Sequence, residues 1–488
     1  MDNQTKIEFG TDGIRGVAGA YPLDPLTVAR IGRAIGAWLR SKIRVHKPRV
    51  VIGHDTRISG HMLLHALASG LLAEGIDVMD ATVISTPGVA YLTRLSKFDL
   101  GVVISASHNP VEQNGIKLFG SDGFKLDDAD EEAIEKLIAE RDPYLPTTSM
   151  GYLYRSMASQ GHYVSYLADC FEEGPVLRDL VIVLDCANGA ATPVAGDAFH
   201  RLGPAKLIEQ NATPDGHNIN VAAGSEHVRR DRSNMLEAIK THHADLGIAF
   251  DGDADRVVFV TPEGMLVDGD HTLGILALEF KKQGKLSGDT VVATDMSNSG
   301  LEHYLKAHDI TLSRTKVGDR YVMERMREGG YTLGGEQAGH IITLDADHTA
   351  GDGIYVGLLV ASLIAQNKQN GGPTLYEMAS RIQRYPQVIA SAHLTQRVDL
   401  DQVAGLSELQ KETLASFEGK GRVNIRFSGT EPNLLRAMVE GGPNNTMEQV
   451  IGRAISLCKL VAGAAHSPNP KIDVVDCVTG APIAAPQQ

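Results

Sequence analysis

The stretch Leu246-Gly-Ile-Ala-Phe250 runs straight into Asp251-Gly-Asp-Ala-Asp-Arg256. Five uninterrupted apolar or small residues read as a strand buried on both faces, the kind found in parallel sheets covered by helices. The acidic turn sits at that strand's carboxyl end, where open α/β sheets place their functional loops. The same unit of apolar run, polar loop and helical stretch recurs along the chain. It precedes and includes His54-Asp-Thr-Arg57 after Arg49–Gly53, Ala106-Ser-His-Asn-Pro110 after Leu100–Ser105, and Asp185-Cys-Ala-Asn-Gly189 after Leu180–Leu184. It returns at Thr290–Ala293 before Thr294-Asp-Met-Ser-Asn298, and at Tyr331–Leu333 before Gly334-Gly-Glu-Gln337.

Between these strands lie helices. Over Leu26–Ser41 the residues Val28, Ile31, Ile35 and Leu39 share one face at helical spacing. Asp127–Arg141 opens on an acidic run that suits a helix amino terminus and reads as a solvated face. The most lipid-like run, Gly353–Gln366, is shorter than the ~20 residues a membrane span requires, so it is expected to be a buried helix.

At 488 residues the chain is several times a typical domain of ~150 residues. Boundaries are expected near Arg141–Ser156, Asp255–Gly264 and Asn367–Pro373, which gives segments 1–150, 151–257, 258–370 and 371–463. Residues 464–488, Ala/Pro-rich and without helical period, read as a tail. The fold class expected is α/β: three similar α/β domains with mixed or parallel sheets, then a smaller α+β domain. The 46 Lys+Arg against 60 Asp+Glu leave a net charge of -14, which argues against nucleic acid and anionic membranes as partners. The four cysteines include no closely spaced pair, and the first residues form no export signal, so a reduced, cytoplasmic protein is expected.

Several loops carry groups suited to chemistry. Asp251, Asp253 and Asp255 alternate on a tight turn, so their carboxylates can converge on one hard divalent ion, with Mg²⁺ the expected occupant. Ser107 and His108 set a hydroxyl beside an imidazole after a strand, as a nucleophile or phosphoryl carrier requires, although such clusters also serve as plain turns. Lys117 follows as a cation or general acid/base. Arg426-Phe-Ser-Gly-Thr-Glu431, with Arg436 beyond, offers arginines, hydroxyls and a glycine to a phosphate, or forms an ordinary turn between two strands. Glu336, Gln337 and His340 gather acceptors and donors suited to sugar hydroxyls, and Arg15 lies in a glycine-rich turn near the start.

FGTDGIRG, SASHNP, DGDADR, GEQAGH and RFSGTEP, in this order between Gly10 and Gly441, resemble the signature loops of the α-D-phosphohexomutase superfamily. Within it the chain looks most like the phosphoglucosamine mutase branch, through Asp295-Met-Ser-Asn298, Asn218-Ile-Asn220 and Val317-Gly-Asp-Arg-Tyr321. The resemblance implies four domains around a central cleft: a phosphoserine loop in 1–150, a metal loop in 151–257, a sugar loop in 258–370 and a phosphate loop in 371–463. It implies Ser107 phosphorylated, and one Mg²⁺ held by Asp251, Asp253, Asp255 and the Ser107 phosphate. Arg15, His108 and Lys117 would assist transfer. Arg256, Arg320, Glu336, Gln337 and His340 would bind the sugar phosphate, while Arg426, Ser428, Gly429, Thr430 and Arg436 would hold the non-transferring phosphate.

The implied reaction moves phosphate between O6 and O1 of a hexose phosphate, with a hexose 1,6-bisphosphate as intermediate and activator and glucosamine 6-phosphate as the expected substrate. A phosphomannomutase/phosphoglucomutase is the alternative, and a metal-dependent sugar phosphatase a more remote one. Ala338, Ala254 and Phe427 depart from the usual residues at their positions. The ligand is a small molecule, and a homodimer is entertained.

Overall fold

The computed structural model describes residues 6–10, 12–140, 149–171, 174, 176–344, 348–428, 431, 433–467 and 470–483. Two compact units partition it. The first takes Met1–Asp295 and Leu312–Ala379, and the second Met296–Thr311 and Ser380–Gln488.

The first unit contains three sheets. In the first, Arg49–His54, Asp77–Val83, Leu100–Ile104 and Leu153–Arg155 run parallel, and Gln113–Gly120 and Ile14–Val17 add antiparallel strands at one edge. The apolar run of Leu246–Phe250 is indeed a wholly buried strand, parallel to Val181–Asp185, which pairs with Lys206–Gln210. Val257–Val260 folds back antiparallel on Leu246–Phe250, and Leu266–Val267 continues that sheet. The third sheet has Thr290–Thr294 and Leu333–Gly335 parallel at its centre, with Ile341–Thr343 antiparallel beside them.

Local chemistry fixes where helices start. The helix Pro25–Lys42 begins one residue before the expected Leu26 because Pro25 suits the first turn and Asp24 accepts from the amides of Leu26 and Thr27. Its Val28, Ile31, Ile35 and Leu39 are fully buried, each stabilising the unit by about 1.5–3 kcal/mol. Gly353–Asn370 is a largely buried helix, as expected, and among the described residues no helix is long and apolar enough to cross a membrane.

In the second unit, five strands form one antiparallel sheet in the order Arg422–Phe427, Leu434–Glu440, Gln387–His393, Ile472–Asp476, Pro482–Ile483. The helix Met447–Ala464 covers it, burying Val450, Ala454, Leu457, Cys458 and Val461. Ser299–Lys306 joins this unit from afar in sequence: Asn298 donates to Tyr385 O at 2.9 Å, and Glu440 accepts from Ser299 N.

Three expected boundaries fall inside sheets. Leu153–Arg155 extends the first sheet past residue 150, and the pairing of Val257–Val260 with Leu246–Phe250 carries the second past 257. The supposed tail supplies two strands, with Val474 3% exposed. Strands of two to five residues offer too short a run to be told from linker by pattern alone.

Candidate active site

The loop after Leu100–Ile104 holds Ser107 in the left-handed region, at φ 52°. A non-glycine residue there costs about 1–2 kcal/mol and persists only when its surroundings hold it. They do so here. Ser107 N donates to Ser105 Oγ at 2.9 Å, and Ser105 Oγ donates to Asp55 Oδ2 at 2.6 Å. The guanidinium of Arg57, buried and paired with Asp55 at 2.9 Å, donates to the carbonyls of Ser107, Asn109 and Pro110. Asn220 Nδ2 adds a bond to Ser107 O at 2.9 Å. Ser107 Oγ donates to Asp251 Oδ2 at 2.5 Å and lies 3.4 Å from His108 Nδ1. Gly252 permits this approach of the two loops, since a Cβ there would stand 2.4 Å from Ser107 O.

Asp251, Asp253 and Asp255 are buried, and one oxygen from each lies within 4.8 Å of the others. Burial, then Asp255 and Asp253, push the Asp251 carboxyl well above the usual range. Asp253 Oδ1 is buried without a hydrogen-bond donor, and the nearest cation to Asp255 Oδ1 is His340 Nδ1 at 3.6 Å. Hard oxygen donors, mutual repulsion and an orphaned buried oxygen are what a divalent cation would satisfy, so the residues fit Mg²⁺.

Ala254, at φ 58°, explains how alanine stands where glycine is usual. A non-glycine residue there costs about 1–2 kcal/mol, of which burial of the methyl group returns ~0.8 kcal/mol.

Cations surround the aspartates, each with a partner. Lys117, 2% exposed, lies 2.9 Å from Asp253, 3.2 Å from Asp12 and 3.6 Å from Asp255. Burial works against its charge, but these three carboxylates outweigh it and raise its pKa, so the side chain is held as a cation. Arg15 pairs with Asp12. His108 Nδ1 accepts from Arg256, and burial, then that guanidinium, lowers the ring to about 4, leaving it neutral near pH 7. His340 sits between Asp255 and Asp319. Burial would lower its pKa, but Asp255, Asp319 and Glu336 raise it to about 9. Glu336 Oε1 accepts from Gly318 N at 3.2 Å, and Gln337 Nε2 is buried without a partner, a donor left for a ligand.

Arg320 departs from expectation. Its guanidinium donates to Asp128, Glu131 and Leu126 O, so it fastens the start of the helix Asp128–Ala139. The acidic run there is accordingly only partly a solvated face, with Glu131 buried. Lys125, missed in the sequence, bridges Asp12 at 2.7 Å and Asp319 at 2.5 Å. Thr86, also missed, donates to Asp253 Oδ2 at 2.6 Å. Neither carries a local signal, because their partners lie far along the chain.

In the second unit, Arg426 and Arg436 stand directly opposite each other on paired strands. Like charges in that position repel, and burial, then Arg436, lowers the pKa of Arg426. The pair is thus ready for an anion. Arg436 donates to Glu431 at 2.9 Å, and Ser428 Oγ accepts from Glu431 N at 3.1 Å. Arg397, not anticipated, donates to Ser428 O at 2.6 Å and stacks over Phe427, which gives the unusual Phe427 a packing partner. Gly429 and Thr430 lie outside the described residues.

Comparisons with known proteins agree on the lineage. Phosphoglucomutase/phosphomannomutase alpha/beta/alpha domains I, II and III match residues 6–145, 162–264 and 268–385, and the C-terminal domain of that family matches 391–454. The phosphoglucosamine mutase of Bdellovibrio bacteriovorus is 44% identical over 447 residues, 90% of this chain and 95% of the relative. That of Caldanaerobacter subterraneus subsp. tengcongensis is 46% identical over 441 residues, 89% of this chain and 94% of the relative. In fold the chain resembles a phosphoglucomutase/phosphomannomutase family protein of Burkholderia thailandensis, with TM-score 0.77, 24% identity, and 96% and 99% of the two chains covered. It also resembles the Aspergillus fumigatus N-acetylphosphoglucosamine mutase solved with GlcNAc-6P and magnesium, with TM-score 0.62, 18% identity, and 95% and 97% covered.

Proposed function

The chain belongs to the phosphoglucomutase/phosphomannomutase family of α-D-phosphohexomutases, and from that premise we propose that it interconverts glucosamine 6-phosphate and glucosamine 1-phosphate. The observation that carries the reading is Ser107, held in a left-handed turn with its Oγ bonded to Asp251 of the buried aspartate triad. A hydroxyl presented this way is suited to carry a phosphoryl group.

In the forward direction the Oγ–P bond of phosphorylated Ser107 breaks as the free sugar hydroxyl bonds to phosphorus, giving a hexose 1,6-bisphosphate. The proton of the attacking hydroxyl ends on the departing Ser107 Oγ, with the neutral His108 ring 3.4 Å away to relay it, and the reverse relay protonates the sugar oxygen when the other phosphate goes back to Ser107 Oγ. Arg15, Lys117 and Arg256 offset the charge on the transferring group, work that phosphoryl transfer leaves largely to positioned cations. Asp251, Asp253 and Asp255, with an oxygen on Ser107, would hold Mg²⁺, which when bound supplies charge neutralisation and orients the phosphoryl oxygens. Glu336, Gln337 and His340 would hold sugar hydroxyls. Arg426, Ser428 and Arg436, with Gly429 and Thr430, would grip the phosphate that stays.

The preference for the amino sugar rests on the relatives' names, and Ala338 makes glucose or mannose phosphate the comparison that matters. Replacing Ser107→Ala is expected to lower turnover by roughly 10³-fold or more and to abolish the added mass of one phosphoryl group in the intact protein. Turnover at the wild-type rate in that variant would refute the mechanism. Assay of several hexose 6-phosphates, with inorganic phosphate measured alongside, separates mutase from phosphatase and ranks the sugars.

A further inference from the structure

Three histidines that this reaction does not use lie near one another at the start of the helix Gly60–Ala73. His54 ends the strand Arg49–His54 and is 3% exposed. Its Nδ1 stands 2.6 Å from the carbonyl oxygen of Asp55. A carbonyl can only accept, so Nδ1 carries a proton, and in the neutral ring Nε2 then keeps its lone pair. That Nε2 is buried and has no hydrogen-bond partner. A ring oriented through one nitrogen onto a backbone carbonyl, with the other nitrogen bare, is how metal-bound imidazoles are held.

The His54 ring has neighbours of its own kind. The His61 ring lies 4.9 Å from that of His54, edge to face, and His65, one turn along the same helix face, lies 6.5 Å from His61. Two imidazoles bound to one ion through ~2.1 Å bonds have centroids roughly 5 Å apart. Gly60 makes the room, since a Cβ there would stand 3.2 Å from His54 Nδ1. His61 and His65 are exposed, so their side chains can rotate onto a common ion without disturbing the core. Burial, then His54, keeps His61 on the neutral side, the form that binds metal. Asp80 is the carboxylate that acts on His61; it is itself held by Arg155 at 2.9 Å and the Thr82 amide at 2.8 Å.

We propose that His54, His61 and His65 form a second metal site, selective for a late first-row divalent ion such as Zn²⁺, Ni²⁺ or Cu²⁺. Imidazole nitrogens suit those ions, whereas Mg²⁺ prefers the oxygens of the aspartate triad, so the two sites sort metals by donor chemistry.

The test uses the full chain, stripped by a chelator and titrated with Zn²⁺ in excess Mg²⁺, which occupies the aspartates. One Zn²⁺ per chain is expected to bind in the wild type. Its affinity should fall by roughly tenfold or more in His61→Ala and in His65→Ala, exposed positions where the fold is not at stake. With Cu²⁺, the electron paramagnetic resonance spectrum should carry imidazole-nitrogen hyperfine structure that both variants lose, while Mg²⁺-supported turnover stays at the wild-type rate. Absence of Zn²⁺ binding in excess Mg²⁺, or binding equal in wild type and both variants, overturns the site.

Discussion

Lys125 shows how much a single side chain can hold. It joins Asp12 to Asp319, residues far apart in the chain, and each of the three keeps about a fifth of its side chain in water. Burial alone would raise both carboxyls. Lys117, Lys125 and Arg15 instead hold Asp12 well below its usual range, and Lys125 with His340 lowers Asp319. Groups with depressed native pKa values stabilise above the unfolded value, ~4, and lose that contribution as pH falls through the native one. Lys125→Met should therefore cost about 2 kcal/mol at pH 7, short of the ~3–5 kcal/mol of a fully buried pair, and the cost should shrink below about pH 4. Urea unfolding of both proteins at pH 7 and pH 3.5 checks this, and an equal difference at the two values would count against it. At this scale the sequence was readable where chemistry is local. Ser107, the three aspartates and the paired arginines stand in short motifs. Lys125, Thr86, Arg57 and Arg397 gain their roles only from partners that folding brings to them.

Elements were legible in proportion to their burial. Leu246–Phe250 was read to the residue, because a strand covered on both faces has no polar positions to blur its ends. Ile472–Asp476 was read as tail, because a short strand with polar alternation looks like linker. Yet it pairs with Ser391, Ala390, Ile389 and their neighbours on the central strand Gln387–His393, and buries Val474. A chain ending at Ser467 should lose roughly 3 kcal/mol or more from the second unit, as two buried side chains, Val474 and Cys477, go with it. Thermal unfolding followed by near-ultraviolet signals would show the second unit melting earlier; an unchanged profile would mean the strand is decoration.

Across the whole molecule, the net charge of -14 is not reversed locally by side chains alone. Among the described residues of the first unit's site, Arg15, Lys117 and Lys125 each face a carboxylate, so a positive surplus there would depend on a bound cation. The second unit is also discontinuous in sequence, which no local pattern could reveal. Ser297 O accepts from Arg422 at 2.6 Å, and Ser299 N donates to the fully buried Glu440, which in turn pairs with Arg422. A fragment of residues 380–488 loses these bonds to Ser297 and Ser299, at about 0.5–1.5 kcal/mol each, and is expected to lack a cooperative transition. The same fragment with residues 296–311 fused to it should regain one, and equal hydrogen-exchange protection in the two would disprove the dependence.

The pairing of Ile472–Asp476 with Gln387–His393 also sets a timetable for synthesis. Domains fold broadly in the order in which they leave the ribosome. Every segment of the first unit has been made by Ala379, whereas Met296–Thr311 must wait for Tyr385 and Glu440, and the last sheet cannot close until Asp476 emerges. During that interval the nascent chain carries one edge of a central strand uncovered, the form most open to pairing with a neighbour on the same message. Slower translation between residues 394 and 471 is therefore expected to lengthen that exposure and to lower the share of chains that reach the fold.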